Sequence, residues 1–201
     1  MKNSLIITCF FIGGILAGFF RFLPSGWMGT DITRWILFGL IFLVGFVLGT
    51  DPRLGMLVRS IRVSVVLVPL AVAAGSLGGA AIGCLLLPSL SLPDSLAIGA
   101  GFGYYSLSSI MIGELSGKTA GAIALIANIF REITTLLAAP LLVKWFGTMA
   151  PVLSGGATSM DTTLPVIMKY AGKEYLFPAL ISGIILTMLT PLLISFIYAI
   201  F

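Results

Sequence analysis

Long stretches of this chain carry no charge at all. Leu37 to Leu48 and Val63 to Leu87 contain neither an acid nor a base. Neither stretch alternates apolar and polar side chains with the period of two that a half-buried strand needs. Such segments are stable in lipid as helices, because a helix satisfies its own backbone hydrogen bonds. Each crossing of a ~30 Å apolar layer takes roughly 20 residues. The 201 residues therefore hold about seven or eight crossings with short loops, and no separate soluble domain. Only 9% of residues are charged and 59% are hydrophobic, whereas soluble domains carry about 25% charged residues. A soluble enzyme, a secreted domain and a nucleic-acid binder are all excluded. The expected fold class is all-α, a polytopic membrane helical bundle.

Seven segments are expected to be helical: 4–21, 34–50, 62–88, 95–113, 119–146, 150–168 and 175–201. Turn and charge signals separate them, among them Asp51-Pro52-Arg53, Ser116-Gly117-Lys118 and Gly172-Lys173-Glu174. The run from Leu5 to Phe20 has no small-x-small cleavage site, so it is read as a retained first span rather than a signal peptide. The whole chain, 1–201, reads as one transmembrane transporter domain. Residues 1–94 form three N-terminal spans, and 95–201 form a core of two units, each a broken helix followed by a span. If every segment crosses, Lys2, Arg53, Arg59, Arg62, Lys118, Lys169 and Lys173 gather on one side, and Arg21, Arg34 and Lys144 on the other. The excess of basic residues marks the cytoplasmic side, which puts the N-terminus in and the C-terminus out. Re-entry of 95–113 or 150–168 would invert everything downstream.

Those two segments are the least lipid-like. The first contains Gly101, Gly103, Ser106 and Ser108, and the second Gly155, Gly156, Thr158, Ser159 and Asp161. Each joins glycines to a run of hydroxyl side chains. One reading is close helix packing through small residues. The other is a pair of broken helices whose half-helix ends build a binding site, since irregular backbone at membrane depth must line a cavity or be buried. An offset of 55 residues places Gly101 on Gly156, Ile112 on Ile167, Gly117 on Gly172 and Lys118 on Lys173. The match reads either as an internal repeat of the sort transporters show or as a chance likeness between small-residue segments.

Asn128, Arg131 and Glu132 lie near the centre of the 119–146 span. A charge at a helix centre costs ~2.5–3.5 kcal/mol on insertion scales, and such residues face a bundle interior or a pathway. Asn128 and Glu132 share a face at i and i+4. Arg131 and Glu132 can act as a buried ion pair joining two helices, or Glu132 can exchange a proton for a cation. Asp161 reads either as a substrate-site acid or as the cap of a half-helix. With no His, histidine-based metal sites and Ser-His catalysis are ruled out. Cys9 and Cys84 lack metal-ligand spacing, and no cofactor is expected.

The stretch Gly101 to Ser108, the Asn128 to Glu132 segment and the Ser154 to Pro165 segment together resemble the LysO-type bacterial lysine exporters, over nearly the whole chain. The resemblance implies a carrier in the cytoplasmic (inner) membrane of a prokaryote. It would expel L-lysine, and analogues such as thialysine, in exchange for protons. Membrane-embedded acids matter in that family, and Glu132 best matches one of them. Single-chain members are longer at the N-terminus, so this chain resembles the larger, C-terminal part of a split exporter. A small companion membrane protein, or a homodimer, would complete it.

Combined with the residues, this gives an expected mechanism. Half-helix N-termini at the glycine breaks take the lysine carboxylate. Ser106, Ser108, Thr158 and Ser159 take the α-ammonium, and Glu132, supported by Asp161, takes the ε-ammonium. Three rivals remain. A carrier of another small solute would use Arg131 as counter-ion. A two-aspartate intramembrane protease has only Asp161 at the right depth. A non-transporting subunit would show no flux.

Overall fold

A computed structural model describes Val63–Leu86 and residues 90–201, with isolated helical positions at 16, 35, 38, 39, 42, 43, 46 and 50 before them. Most of the expected segments 4–21 and 34–50, Cys9 and the N-terminal orientation lie outside the described residues. The described helices fall in the compact unit Ile41–Phe201, the other unit being Met1–Leu40.

Among the described residues the chain is all-helical. Seven α-helices follow one another: α1 (Val63–Leu86), α2 (Leu92–Gly99), α3 (Tyr105–Leu115), α4 (Lys118–Phe146), α5 (Ala150–Gly155), α6 (Leu164–Tyr170) and α7 (Leu176–Ile200). Short 3-10 turns cover Gly156–Met160 and Lys173–Tyr175. Among the described residues three helices are long and apolar enough to cross a membrane: Leu67–Leu86, Lys118–Phe146 and Lys173–Ile200. The two expected broken helices are both present. One is α2 and α3 parted at residues 100–104, the other α5 and α6 parted at 156–163.

Both broken helices fold back on themselves. At the start of α2, the Asp94 carboxylate accepts hydrogen bonds from Tyr198 Oη at 2.7 Å and Ser91 Oγ at 2.5 Å. The hydroxyl of Ser116, just past the end of α3, lies beside the same carboxylate. Entry to α2 and exit from α3 therefore share one face of the bundle with the end of α7. On the opposite face Thr148, ahead of α5, hydrogen-bonds Tyr175, beyond α6. Val152, Ile167, Ala171 and Ala179 form one apolar cluster with Val68 there, and Met149 and Tyr175 pack on it. Segments 95–113 and 150–168 are thus re-entrant hairpins, entering from opposite faces. Among the described residues α1, α4 and α7 run from one face of the bundle to the other, and the two hairpins meet between them.

The same offset seen in the sequence carries the limits of α4, Lys118 and Phe146, onto Lys173, where the second long span begins, and Phe201, one residue past its end. Thr135 and Thr190 coincide under it, and each donates to the carbonyl four residues back, at 2.9 Å in both cases. The two units run in opposite directions between the two faces.

Size sorts the faces of α4. Ala120, Gly121, Ala124, Asn128, Thr135 and Ala139 are buried, while Ile126, Phe130 and Leu137 are exposed. Small residues at helical spacing allow close backbone approach, and large apolar ones suit lipid. Gly121 shows the limit: a Cβ there would stand 2.7 Å from Ser109 O and 2.8 Å from Gly113 Cα. That contact clamps α3 against α4. The 11 residues of α3 rise about 16 Å at 1.5 Å per residue, about half of a ~30 Å core. The hairpin tips accordingly lie halfway across, level with the centre of α4.

Candidate functional site

A helix broken at that depth leaves amide and carbonyl groups that no water can satisfy, each costing several kcal/mol in hydrocarbon. In the first hairpin Asn128 supplies the partners. Its Oδ1 accepts from Gly103 N at 2.7 Å, and its Nδ2 donates to Ile98 O at 3.3 Å and Ala124 O at 2.9 Å. One side-chain amide bridges the end of α2 and the turn before α3. Gly101 makes room for it, because a Cβ there would meet the amide at 2.6 Å. The turn itself is left-handed at Phe102 (φ 49°) and Gly103 (φ 96°).

Arg131, one turn along α4, does the same for the second hairpin. Its Nε donates to Ser154 O at 2.8 Å and its Nη2 to Leu153 O at 3.1 Å. These carbonyls belong to the last turn of α5, where a cation is favoured. Nη1 donates to Ser76 Oγ at 2.6 Å, tying α1 to α4. Thr135 Oγ1 lies 2.7 Å from Ser154 Oγ and completes the cradle. None of the guanidinium's hydrogen bonds goes to Glu132, so the ion pair considered from the sequence does not form.

The two tips touch. Ala157 N donates to Phe102 O at 2.9 Å. Gly156 has φ 61°, and a Cβ on it would collide with that same carbonyl oxygen. Gly103 faces Gly155, whose carbonyl oxygen would be 3.2 Å from an added Cβ. In α7 the position equivalent to Asn128 is Gly183. There a Cβ would stand 2.6 Å from Met160 Cβ and 2.9 Å from Ala157 O. The second tip is pressed onto bare helix where the first is stitched by an amide.

Two hollows flank this crossing. The smaller, about 290 Å³, includes Gly83, Leu90, Ser95 and Asn128 and extends toward the Asp94 face. The larger, about 450 Å³, includes Ala71, Val72 and Leu153 and extends toward the Thr148 face. Ser76 and Arg131 line both, so their hydrogen bond stands in the partition.

The remaining sequence candidates are spread out. Glu132 is half-buried at the edge of the inward face of α4. It lines neither of these hollows. Asp161 is exposed, and its Oδ1 accepts from Thr162 N at 2.6 Å. It does not cap α6, whose flanking residue is Thr163 and which has no side-chain cap. Ser106 is exposed, and Ser108 is buried with its Oγ 3.5 Å from Tyr105 O. Thr158 Oγ1 donates to Gly155 O at 2.9 Å. Ser159 Oγ sits 2.7 Å from Gly156 O and 2.9 Å from Ala179 O. These last two hydroxyls bind the tip to itself and to α7. Sequence reasoning missed Ser76 and Ser95. The one signal for Ser76 is a hydroxyl set among glycines in an otherwise apolar helix.

With this geometry in hand, known proteins supply a family. The family profile described as "Lysine exporter LysO" matches residues 8–198. A relative named "Lysine exporter LysO" from Escherichia coli (strain K12) is 35% identical over 169 residues, covering 83% of this chain and 55% of the relative. A "Putative lysine exporter" from Haemophilus influenzae is 37% identical over 121 residues, covering 60% of this chain and 61% of that protein. The chain thus spans only a little over half the length of these relatives. No solved structure matches it. The matched region takes in both re-entrant hairpins and the long helix that stitches them, and the chain belongs to the lysine exporter LysO family.

Proposed function

We propose that this chain forms the core of a secondary transporter. It would expel L-lysine, and analogues such as thialysine, from the cytoplasm in exchange for protons. The observation that carries the reading is the meeting of two inverted hairpin tips halfway along α4, beside Asn128, Arg131 and Glu132. Discontinuous helices at the interface of inverted repeats are where carriers of this kind bind substrate. The names of the relatives supply lysine as the substrate.

Glu132 serves as the coupling acid in this reading. It is the one acid in α4, and among the described residues it has neither a hydrogen bond nor an ion pair. A carboxylate at the edge of the bundle, near its mid-depth, can hold the lysine ε-ammonium on the way out and a proton on the return, which removes the cost of carrying back a bare charge. Glu132→Gln should abolish proton-driven lysine flux in proteoliposomes. Undiminished coupled flux from that variant would refute the role.

Orientation follows from the folded-back hairpins. Lys144, Lys169 and Lys173 gather on the Thr148 face, against Lys118 on the other. The positive-inside rule makes the Thr148 face cytoplasmic and puts the C-terminus outside, in the inner membrane of a prokaryote. The partner this reading expects is a small companion membrane protein supplying further helices, or a second copy of the chain. A carrier of a different small solute is the second reading. It is favoured by Arg131, whose hydrogen-bond acceptors are all neutral.

A further inference from the structure

Ser95 has a hydroxyl with no partner. The residue is 5% exposed, and its Oγ is buried without a hydrogen bond. In a helix such a hydroxyl can usually turn to the carbonyl four residues back, and an orphaned buried one calls for an explanation. Ser95 lines the smaller hollow, together with Ser76, Asn128 and Arg131.

Arg131 adds a second observation at the same place. A guanidinium has five N–H donors, and three hydrogen bonds are made, one each from Nε, Nη1 and Nη2. One N–H on each terminal nitrogen is left over, the pair that matches a carboxylate side by side. All three acceptors are neutral, so the positive charge has no anion against it among the described residues. A partly buried guanidinium in that state, lining a hollow, can take one.

The geometry points to the smaller hollow as the subsite for the amino-acid end of the substrate. The α-carboxylate lies on Arg131, the α-amino group is hydrogen-bonded by Ser95 Oγ, and the aliphatic stem lies along Leu90 and Ile98. The hollow, about 290 Å³, is near the lower end of the ~300–1,000 Å³ typical of small-ligand sites, which suits a free amino acid. Because Arg131 also lines the hollow on the other side of the partition, one guanidinium can take the carboxylate from one side and release it to the other. The assignment rests on the transporter reading above, and it is separable from lysine and from Glu132. It demands a carboxylate, whatever the side chain.

The test measures thermal protection of the purified full-length chain by L-lysine, by a panel of other L-amino acids, and by 1,5-diaminopentane, which is lysine without its carboxylate. Lysine should protect at least tenfold more potently than the diamine. Ser95→Ala should weaken lysine several-fold, and Arg131→Lys, which keeps the charge but loses the fork, should collapse the difference between lysine and the diamine. Equal potency of lysine and diamine in the unsubstituted chain overturns the assignment and leaves lysine export standing. So does a preference for lysine that survives both substitutions. If a different amino acid protects, and Ser95→Ala weakens it, the carboxylate subsite stands and lysine falls as the substrate. Protection by no amino acid overturns both.

Discussion

Asn128 and Arg131 perform at the scale of single residues what loops in water leave to solvent. Each satisfies backbone groups that a broken helix exposes inside the bilayer, and each does so from the same continuous helix. Leaving a buried amide or carbonyl unpaired costs about 1–3 kcal/mol. Asn128→Leu removes partners from Gly103 N and Ile98 O at once, so it should destabilise the fold by about 2–6 kcal/mol, read as a lowered unfolding midpoint in detergent. Gly156 is constrained by both conformation and space, with φ 61° and Phe102 O against its bare face. Gly156→Ala should separate the hairpin tips and abolish transport. Gly79→Ala has nothing within 4 Å of the added methyl and should leave both stability and flux near those of the unsubstituted chain. Equal behaviour of the two alanine variants in a flux assay would contradict the packing of the tips.

At the scale of elements, each hairpin is held at its mouth by polar contacts and at its tip by α4. Asp94 joins the start of α2 to the end of α7, with Ser116 beside it. Burial pushes this carboxyl toward its neutral form, but the hydrogen bonds from Ser116, Ser91 and Tyr198 outweigh that and hold its pKa below the ordinary value. A folded-state pKa below the unfolded one means the clamp contributes stability above about pH 4, the unfolded Asp value. That contribution is lost as the pH falls through the folded value. Asp94→Asn should therefore lower the melting midpoint at pH 7 and flatten its decline between neutral and strongly acidic pH. A variant whose acid limb is as steep as that of the parent would show that the clamp does not act this way.

For the whole molecule, the fold-back of both hairpins assigns faces. Ser116 and Tyr198 belong to one face, Thr148 and Lys173 to the other. In a background with Cys9 and Cys84 replaced, single cysteines at 116 and 198 should react with a membrane-impermeant thiol reagent applied outside cells. Cysteines at 148 and 173 should react only after the cells are opened. Labelling of cysteines at 91 and 116 from opposite sides would show that 95–113 crosses after all.

The apolar runs, the absence of strand periodicity, the glycine–hydroxyl breaks and the polar stripe of α4 are local properties, and all of them are legible in the amino-acid order. A helix in lipid is dictated by its own backbone, so hydropathy alone determines the all-helical class, and Gly101 and Gly156 mark where the helices stop. The partner of Arg131 is not a local property. Glu132, its neighbour in sequence, is one candidate, yet the carbonyls of Leu153 and Ser154 and the hydroxyl of Ser76 are brought to it from two other helices by the return of the chain. The re-entry of 95–113 is equally invisible in composition, because crossing and folding back bury the same residues. Only the packing of distant segments decides where a buried charge finds its acceptors, since the cost of leaving those groups unpaired is set by what stands opposite them in space.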